Sequence, residues 1–310
     1  MSDVGETRRD ADALSSLPVL GVGASLSLSA EPDPVALVEA PGGPQFVEYA
    51  GRVDVDEVKA EVERVRNTGA AVLFHPSYIN FCGSYANSPA WLEETARHIA
   101  EVGSPWFAQD LAYCFVNDGY GYSSQLGYFV PPVLNEASLA RAIERVREVQ
   151  RVVRVPVAIE PPPMTYVAGR MPLFTYFGRL ARETDCALLL DVGHLVSYEM
   201  GSGRKVLDAL SDLPTERVIE VHIAGGRIDD TEHAGVRRRV YVDAHERDIL
   251  PEAYAMLEAL LPHLSALRAV CFECEGRTQG HVLDTLSRLR TLVRDKSPHR
   301  ALVAALGDAA

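Results

Sequence analysis

Eight short apolar runs alternate with longer amphipathic segments along this chain, and that alternation restricts the fold more than any other feature. The runs are 18–24 (PVLGVGA), 45–50 (QFVEYA), 70–76 (AAVLFHP), 105–113 (PWFAQDLAY), 155–161 (VPVAIEP), 186–192 (CALLLDV), 217–224 (RVIEVHIA) and 267–275 (LRAVCFECE). Between most of them lie segments such as VDEVKAEVERVRNTG and NEASLARAIERVREVQRVV, whose apolar residues recur at three- and four-residue steps, as a helix covering a sheet requires. Eight buried strands, most followed by a helix, predict an α/β fold of the (β/α)8 TIM-barrel type rather than an open doubly wound sheet. No G-x-G-x-x-G follows the first run, which removes the main support for a dinucleotide-binding fold. The barrel is expected as one domain over 18–296, with a loose polar tail at 1–17 and a C-terminal tail at 297–310.

The composition agrees with a globular chain. Of 310 residues 47% are apolar, enough for a full core. No stretch approaches the roughly 18 to 20 apolar residues of a membrane span, and the N-terminus lacks the apolar centre of a signal peptide, so a cytoplasmic protein is expected. A net charge of −13 would repel a phosphate backbone over most of the surface, which argues against a nucleic-acid partner. The five cysteines are an odd number, which speaks against a disulfide framework. The pair in CFEC ends an apolar strand instead of opening a helix, so redox use is not expected of it.

In such a barrel the site forms at the C-terminal ends of the strands. Standing there are Glu48, His75, Gln109 and Asp110, Glu160, Asp191 with His194, His222 and Glu273. Beyond the seventh strand, YVDAHE places Asp243 and His245 on one side of an extended segment. In CALLLDVGHL, Asp191 could simply cap a helix and leave His194 exposed. So many carboxylates on one rim, however, would repel one another without cations between them. Imidazole with carboxylate suits Zn, Mn or Fe, and the donors exceed the four of one tetrahedral ion. Two or three ions bridged by carboxylates are expected, with His194 a ligand from the turn after Asp191.

The order of donors resembles the barrel superfamily that includes endonuclease IV and xylose isomerase-like enzymes. Locally, FVEYAG, FHPSYINFCGS, AQDLAY, AIEPPPMTY, LLLDVGHLVSY, EVHIAGG, VDAHERDILPEAYAML and CFECEG resemble the multinuclear iron enzymes of the MbnB and TglH type. Departures from that pattern are Ala50 where a histidine is expected, Gln109-Asp110 for Glu-His, Pro161 for asparagine, and Gly193-His194 for Asn-Asn. The resemblance implies two or three irons that use dioxygen to remodel a cysteine of a ribosomally made peptide, usually with a partner protein presenting that peptide. It implies His75, Glu160, Asp191, His222, Asp243, His245 and Glu273 as ligands, with Asp110 in place of the family's histidine; His194 joins them from the endonuclease-like Asp-x-x-His pattern, and Asp110, Glu160 and Glu273 stand closest to the chemistry. Glu48 and the basic cluster of RIDDTEHAGVRRRVY, Arg227 and Arg238 within it, are candidates for binding the substrate, since Arg pairs with carboxylates; a solvated loop face is the alternative for the arginines. A redox-neutral Zn or Mn isomerase, epimerase or phosphodiesterase is the alternative chemistry, and a non-catalytic metal-binding scaffold is a third.

Overall fold

The computed structural model describes residues 14–50, 54–83, 85–117, 123–233 and 235–307. Eight parallel strands close into a barrel in chain order: β1 (Gly21–Ser25), β2 (Phe46–Tyr49), β3 (Ala71–Phe74), β4 (Phe107–Asp110), β5 (Val157–Glu160), β6 (Ala187–Asp191), β7 (Val218–Ala224) and β8 (Ala269–Glu273), with β8 pairing back onto β1. Each strand is followed by a helix: α1 (Pro34–Glu39), α2 (Lys59–Arg66), α3 (Pro89–Val102), α4 (Glu136–Gln150), α5 (Leu173–Thr184), α6 (Val192–Ser202), α7 (Pro251–Leu260) and α8 (Gln279–Lys296). The expected TIM barrel is therefore the observed one. No helix among the described residues is long and apolar enough to cross a membrane.

Side chains alternate across each strand, so one set fills the barrel and the other meets the helices. Phe46, Leu73, Ala108, Ala158, Leu189 and Cys271 belong to the interior cluster, whereas Val47, Val72, Ile159, Leu190 and Phe272 join the larger layer under the helices. The ring of Phe46 fills the space beside β1 so completely that a Cβ on Gly23 would lie 2.4 Å from it, which explains a glycine in mid-strand. Where β6 meets β7 the register shifts by one residue, Leu188 pairing with Val218 and Leu189 with Glu220. The extra residue, Ile219, joins the interior cluster, and the bulge brings Glu220 and then His222 onto the inward face.

Two antiparallel hairpins rise from the strand ends: Tyr113–Asn117 with Ser123–Val130 after β4, and Arg227–His233 with Val236–Val242 after β7. The second occupies a segment expected as loop. At the other end, Leu14 is buried against the barrel floor and its carbonyl accepts from Arg268, while residues 1–13 of the expected tail lie outside the described residues. The C-terminal segment expected as a tail carries α9 (Arg300–Ala305); burial of Leu302 and Leu306 anchors it beside the bottom of β1.

Candidate metal centre

Inward-facing positions at the C-terminal ends of β2 through β8 carry Glu48, His75, Asp110, Glu160, Asp191, His222 and Glu273, placed by the same alternation that buries the apolar residues below them. His75 stands one residue beyond β3, and its amide continues the ladder to Tyr49 O at 3.0 Å. Its Nε2 lies 3.4 Å from Glu160 Oε2 and 3.7 Å from Asp110 Oδ2, and its Nδ1 lies 3.9 Å from Glu48 Oε2. His222 sits between Glu48 Oε1, 3.2 Å from Nε2, and Glu273 Oε1, 3.5 Å from Nδ1.

Asp191 ends β6 and caps α6 at once. Its Oδ1 accepts from the amide of His194 at 2.7 Å, so the capping reading of CALLLDVGHL is correct in its first half. Its second half is not, because His194 is buried at 4% exposure. That ring turns inward, with Nδ1 2.9 Å from Pro161 O and 3.1 Å from Glu160 Oε1, and Nε2 3.1 Å from Asp243 Oδ2. The loop after the second hairpin brings Asp243 and His245 over the ring. His245 has φ of 44°, left-handed for a non-glycine residue, and holds it because Arg277 donates to its carbonyl at 2.8 Å while Glu275 Oε2 lies 2.8 Å from its Nδ1. Its Nε2 is thereby left 3.6 Å from both Asp243 and Glu273.

Donor atoms gather in overlapping groups: His75 with Glu160 and His222, Asp110 with Glu160 and His194, Asp191 with His222 and Glu273, and Glu48 with His222 and Cys271. Glu160 and His222 are each shared between groups. Several buried polar atoms here have no hydrogen-bond partner, namely Glu48 Oε2, His75 Nδ1, Asp110 Oδ1, Asp191 Oδ2, Asp243 Oδ1 and both ring nitrogens of His222. Buried polar atoms are rarely left so, and cations between them would satisfy the set at once. The residues present therefore fit more than one divalent ion.

Without cations, protons take their place. Burial opposes charge on His75, but Glu48, Asp110 and Glu160 outweigh it and push its pKa up to about 9. His245 is likewise disfavoured by burial yet raised to about 12 by Glu273 and Asp243, and His194 and His222 are raised well above the ordinary value by their carboxylates. Burial, reinforced by Asp110, lifts Glu160 to about 8; burial also lifts Asp191, to about 6. Glu273, despite its burial, is held down to about 2 by His245 and His222.

These directions define a pH dependence. Stability from His75 is complete below about 6.5 and lost as pH rises through about 9; that from Glu160 is complete below about 4.5 and lost through about 8; that from Glu273 is present above about 4.5 and lost as pH falls through about 2. The metal-free protein should accordingly lose melting temperature between pH 6.5 and 9, while the stabilisation conferred by added metal, which displaces those protons, should widen over the same range. Thermal unfolding across pH with and without metal checks this; a constant metal-induced increment would contradict it.

All the acids and histidines expected as ligands thus converge on one rim. Gln109 does not join them: it faces outward, its amide exchanging two hydrogen bonds with the backbone of Ile79 at 2.7 and 2.8 Å, and so secures the loop that follows His75. Glu48, expected to meet substrate, is instead buried at 1% exposure between two imidazoles. The basic cluster is largely neutralised by its own hairpin. Arg227 pairs with Asp229 and Glu246, Arg237 with Glu232 and Arg239 with Asp230, whereas Arg238 lies opposite Thr231. Cys271 faces the barrel interior and Cys274 donates to Ser25 O; both are free and buried, which raises their thiol pKa values. Two acids escaped the sequence reading, Glu220 and Glu275. Each stands two residues from a ligand candidate in a strand-like register, in EVH and ECE, and that spacing was the available signal.

The family model of the RiPP precursor modification enzymes MbnB/TglH/ChrH matches residues 43–289, from β2 to within α8. The chain belongs to this family. Among curated relatives, a UPF0276 protein of Rhizobium meliloti is 28% identical over 134 residues, 43% of this chain and 42% of that protein. One of Shewanella oneidensis is 27% identical over 156 residues, 49% of this chain and 50% of that one. The chain thus matches about half the length of these relatives. Among solved structures, an endonuclease IV from Thermus thermophilus aligns with a TM-score of 0.54 at 19% identity, covering 89% of this chain and 99% of that one. A D-allulose 3-epimerase from Methylomonas sp. aligns with a TM-score of 0.51 at 13% identity, covering 87% and 90%. At these identities the likeness is one of fold.

Proposed function

We propose that this chain is an oxygen-dependent oxidative enzyme that holds two or three irons and modifies a cysteine, carried on a ribosomally made peptide that a partner protein presents. The observation that carries this reading is the overlap of donor groups through Glu160 and His222, in a chain of the RiPP precursor modification family. Asp191, His222 and Glu273 would hold one ion, and Asp110, Glu160, His75 and His194 another, with Asp243 and His245 closing the outer edge. Iron bound there supplies redox chemistry with dioxygen that no protein side chain offers.

The protein's contribution is geometry and access. Glu48, Asp191, Glu160 and His222 are sealed at 2% side-chain exposure or less, whereas Glu273, Asp243 and His245 reach 15%, 16% and 30%. A thiol arriving from solvent therefore meets the Asp243, His245 and Glu273 edge, while the sealed acids keep the opposite side fixed and dry. With cations bound, the imidazoles would be neutral and the carboxylates ionised, so Asp243 or Glu273 at this edge would be the site's own acceptor for the proton of an incoming thiol.

Ferrous iron restored to the metal-free protein, with a cysteine-bearing peptide as substrate, should give turnover in air and none under strict anaerobiosis. Full activity without oxygen when Zn or Mn is supplied would replace this reading with the redox-neutral one.

A further inference from the structure

One carboxylate in the barrel has no place in the metal ring. The layer immediately beneath that ring consists of Phe46, Leu73, Ala108, Ala158, Leu189 and Cys271, each two residues before a ring member. On β7 the equivalent position is Glu220, fully buried at 0% exposure. An apolar side chain would suit this layer, and a lone buried carboxylate there is costly unless something uses it.

Its surroundings are specific. Trp106, itself buried one step further down, donates Nε1–H to Glu220 Oε2 at 2.7 Å and so fixes the carboxylate in one orientation. The other oxygen, Oε1, has no hydrogen-bond partner and lies 3.6 Å from His222 Nε2. The opposite ring nitrogen, Nδ1, faces Glu273 and the group completed by Asp191. Glu48 Oε1 approaches the same Nε2 at 3.2 Å, but its second oxygen reaches toward His75, so Glu48 serves both imidazoles whereas Glu220 addresses His222 alone.

We propose that Glu220 is a positioning residue: clamped by Trp106, it holds the Nε2 edge of His222 toward the barrel floor and leaves Nδ1 for the ion shared with Asp191 and Glu273. This rests on the metal reading of the ring. A carboxylate behind a ligating histidine selects the tautomer with its proton on the far nitrogen and orients the ring, and loss of such a partner typically weakens metal binding by about 10- to 100-fold.

Glu220→Gln separates orientation from packing because it keeps the shape. Trp106 N–H would claim the amide oxygen, turning the amide N–H2 toward His222 Nε2. A donor there favours the tautomer with its proton on Nδ1, the wrong one for the ion. Metal-free wild type, Glu220→Gln and Trp106→Phe would be titrated anaerobically with ferrous iron against a chromophoric chelator, with thermal unfolding of each metal-free protein alongside. The expected result is one ion bound about 10- to 100-fold more weakly in Glu220→Gln, a smaller loss in Trp106→Phe, where the carboxylate is kept but freed, and the remaining iron held as in wild type. Wild type that binds iron together with a Glu220→Gln protein of unchanged affinity would overturn this role alone. A wild type that binds no metal would overturn it together with the proposed function.

Discussion

Glu160→Gln is expected to abolish turnover and to weaken metal binding by more than about 100-fold, with the metal-free protein still folded. Glu160 ends β5 and belongs to two overlapping donor groups, one with His75 and His222 and one with Asp110 and His194, so its charge is central to the ion that Asp110, His75 and His194 would hold with it. Glutamine keeps the volume and one weak oxygen donor but supplies no charge. In the metal-free protein the change costs little, because burial and Asp110 already hold Glu160 protonated to about pH 8, and a neutral amide resembles that form. Elemental analysis, a peptide assay and a melting curve check the three parts; retention of full metal content would remove Glu160 from the ligand set.

The double variant Asp243→Ala with His245→Ala should lose metal from the outer edge of the centre while the inner ring keeps its own. Both residues sit in the loop after the second hairpin, outside every barrel strand, and reach the ring only through contacts with His194, Glu273 and Glu275. Their loss removes an aspartate held strongly ionised by His194 and an imidazole aimed at Glu273, so both the affinity and the closing of the open edge suffer. The metal-free protein should still fold, because both residues lie outside the barrel strands, although it loses their pairings with His194 and Glu273; the left-handed φ at His245 persists with alanine. Metal content equal to wild type would show that this loop covers the centre without holding any ion.

The barrel was legible because its determinants are local. Short apolar runs for the strands and three-four periodicity between them are written into the sequence, and the side-chain alternation that turns Phe46, Ala158 and Cys271 into the barrel carries Glu48, Glu160 and Glu273 to the rim. His194 was readable as a ligand candidate from Asp191-x-x-His, since a strand-end cap and a first-turn residue must share one side. Other features depended on non-local events. The bulge at Ile219 turns that residue and Glu220 inward in succession, and nothing in RVIEVHIA announces the extra residue. Gln109 and Asp110 are neighbours of similar polarity, and only the strand phase set by Ala108 sends one outward and the other into the ring. The arginines of the second hairpin read as a binding patch because Asp230 and Glu232 become partners of Arg239 and Arg237 only once the antiparallel register is fixed.

The proposed chemistry depends on one ring of side chains holding several ions. The number of metal ions per chain measures it most directly, taken by elemental analysis after anaerobic loading with ferrous iron and removal of the unbound excess. The number of donors around the ring, more than one ion can use, predicts more than one tightly held iron per chain, with the count falling in Glu160→Gln. A single ion in wild type, or none, would contradict the multinuclear centre and with it the chemistry proposed for this barrel.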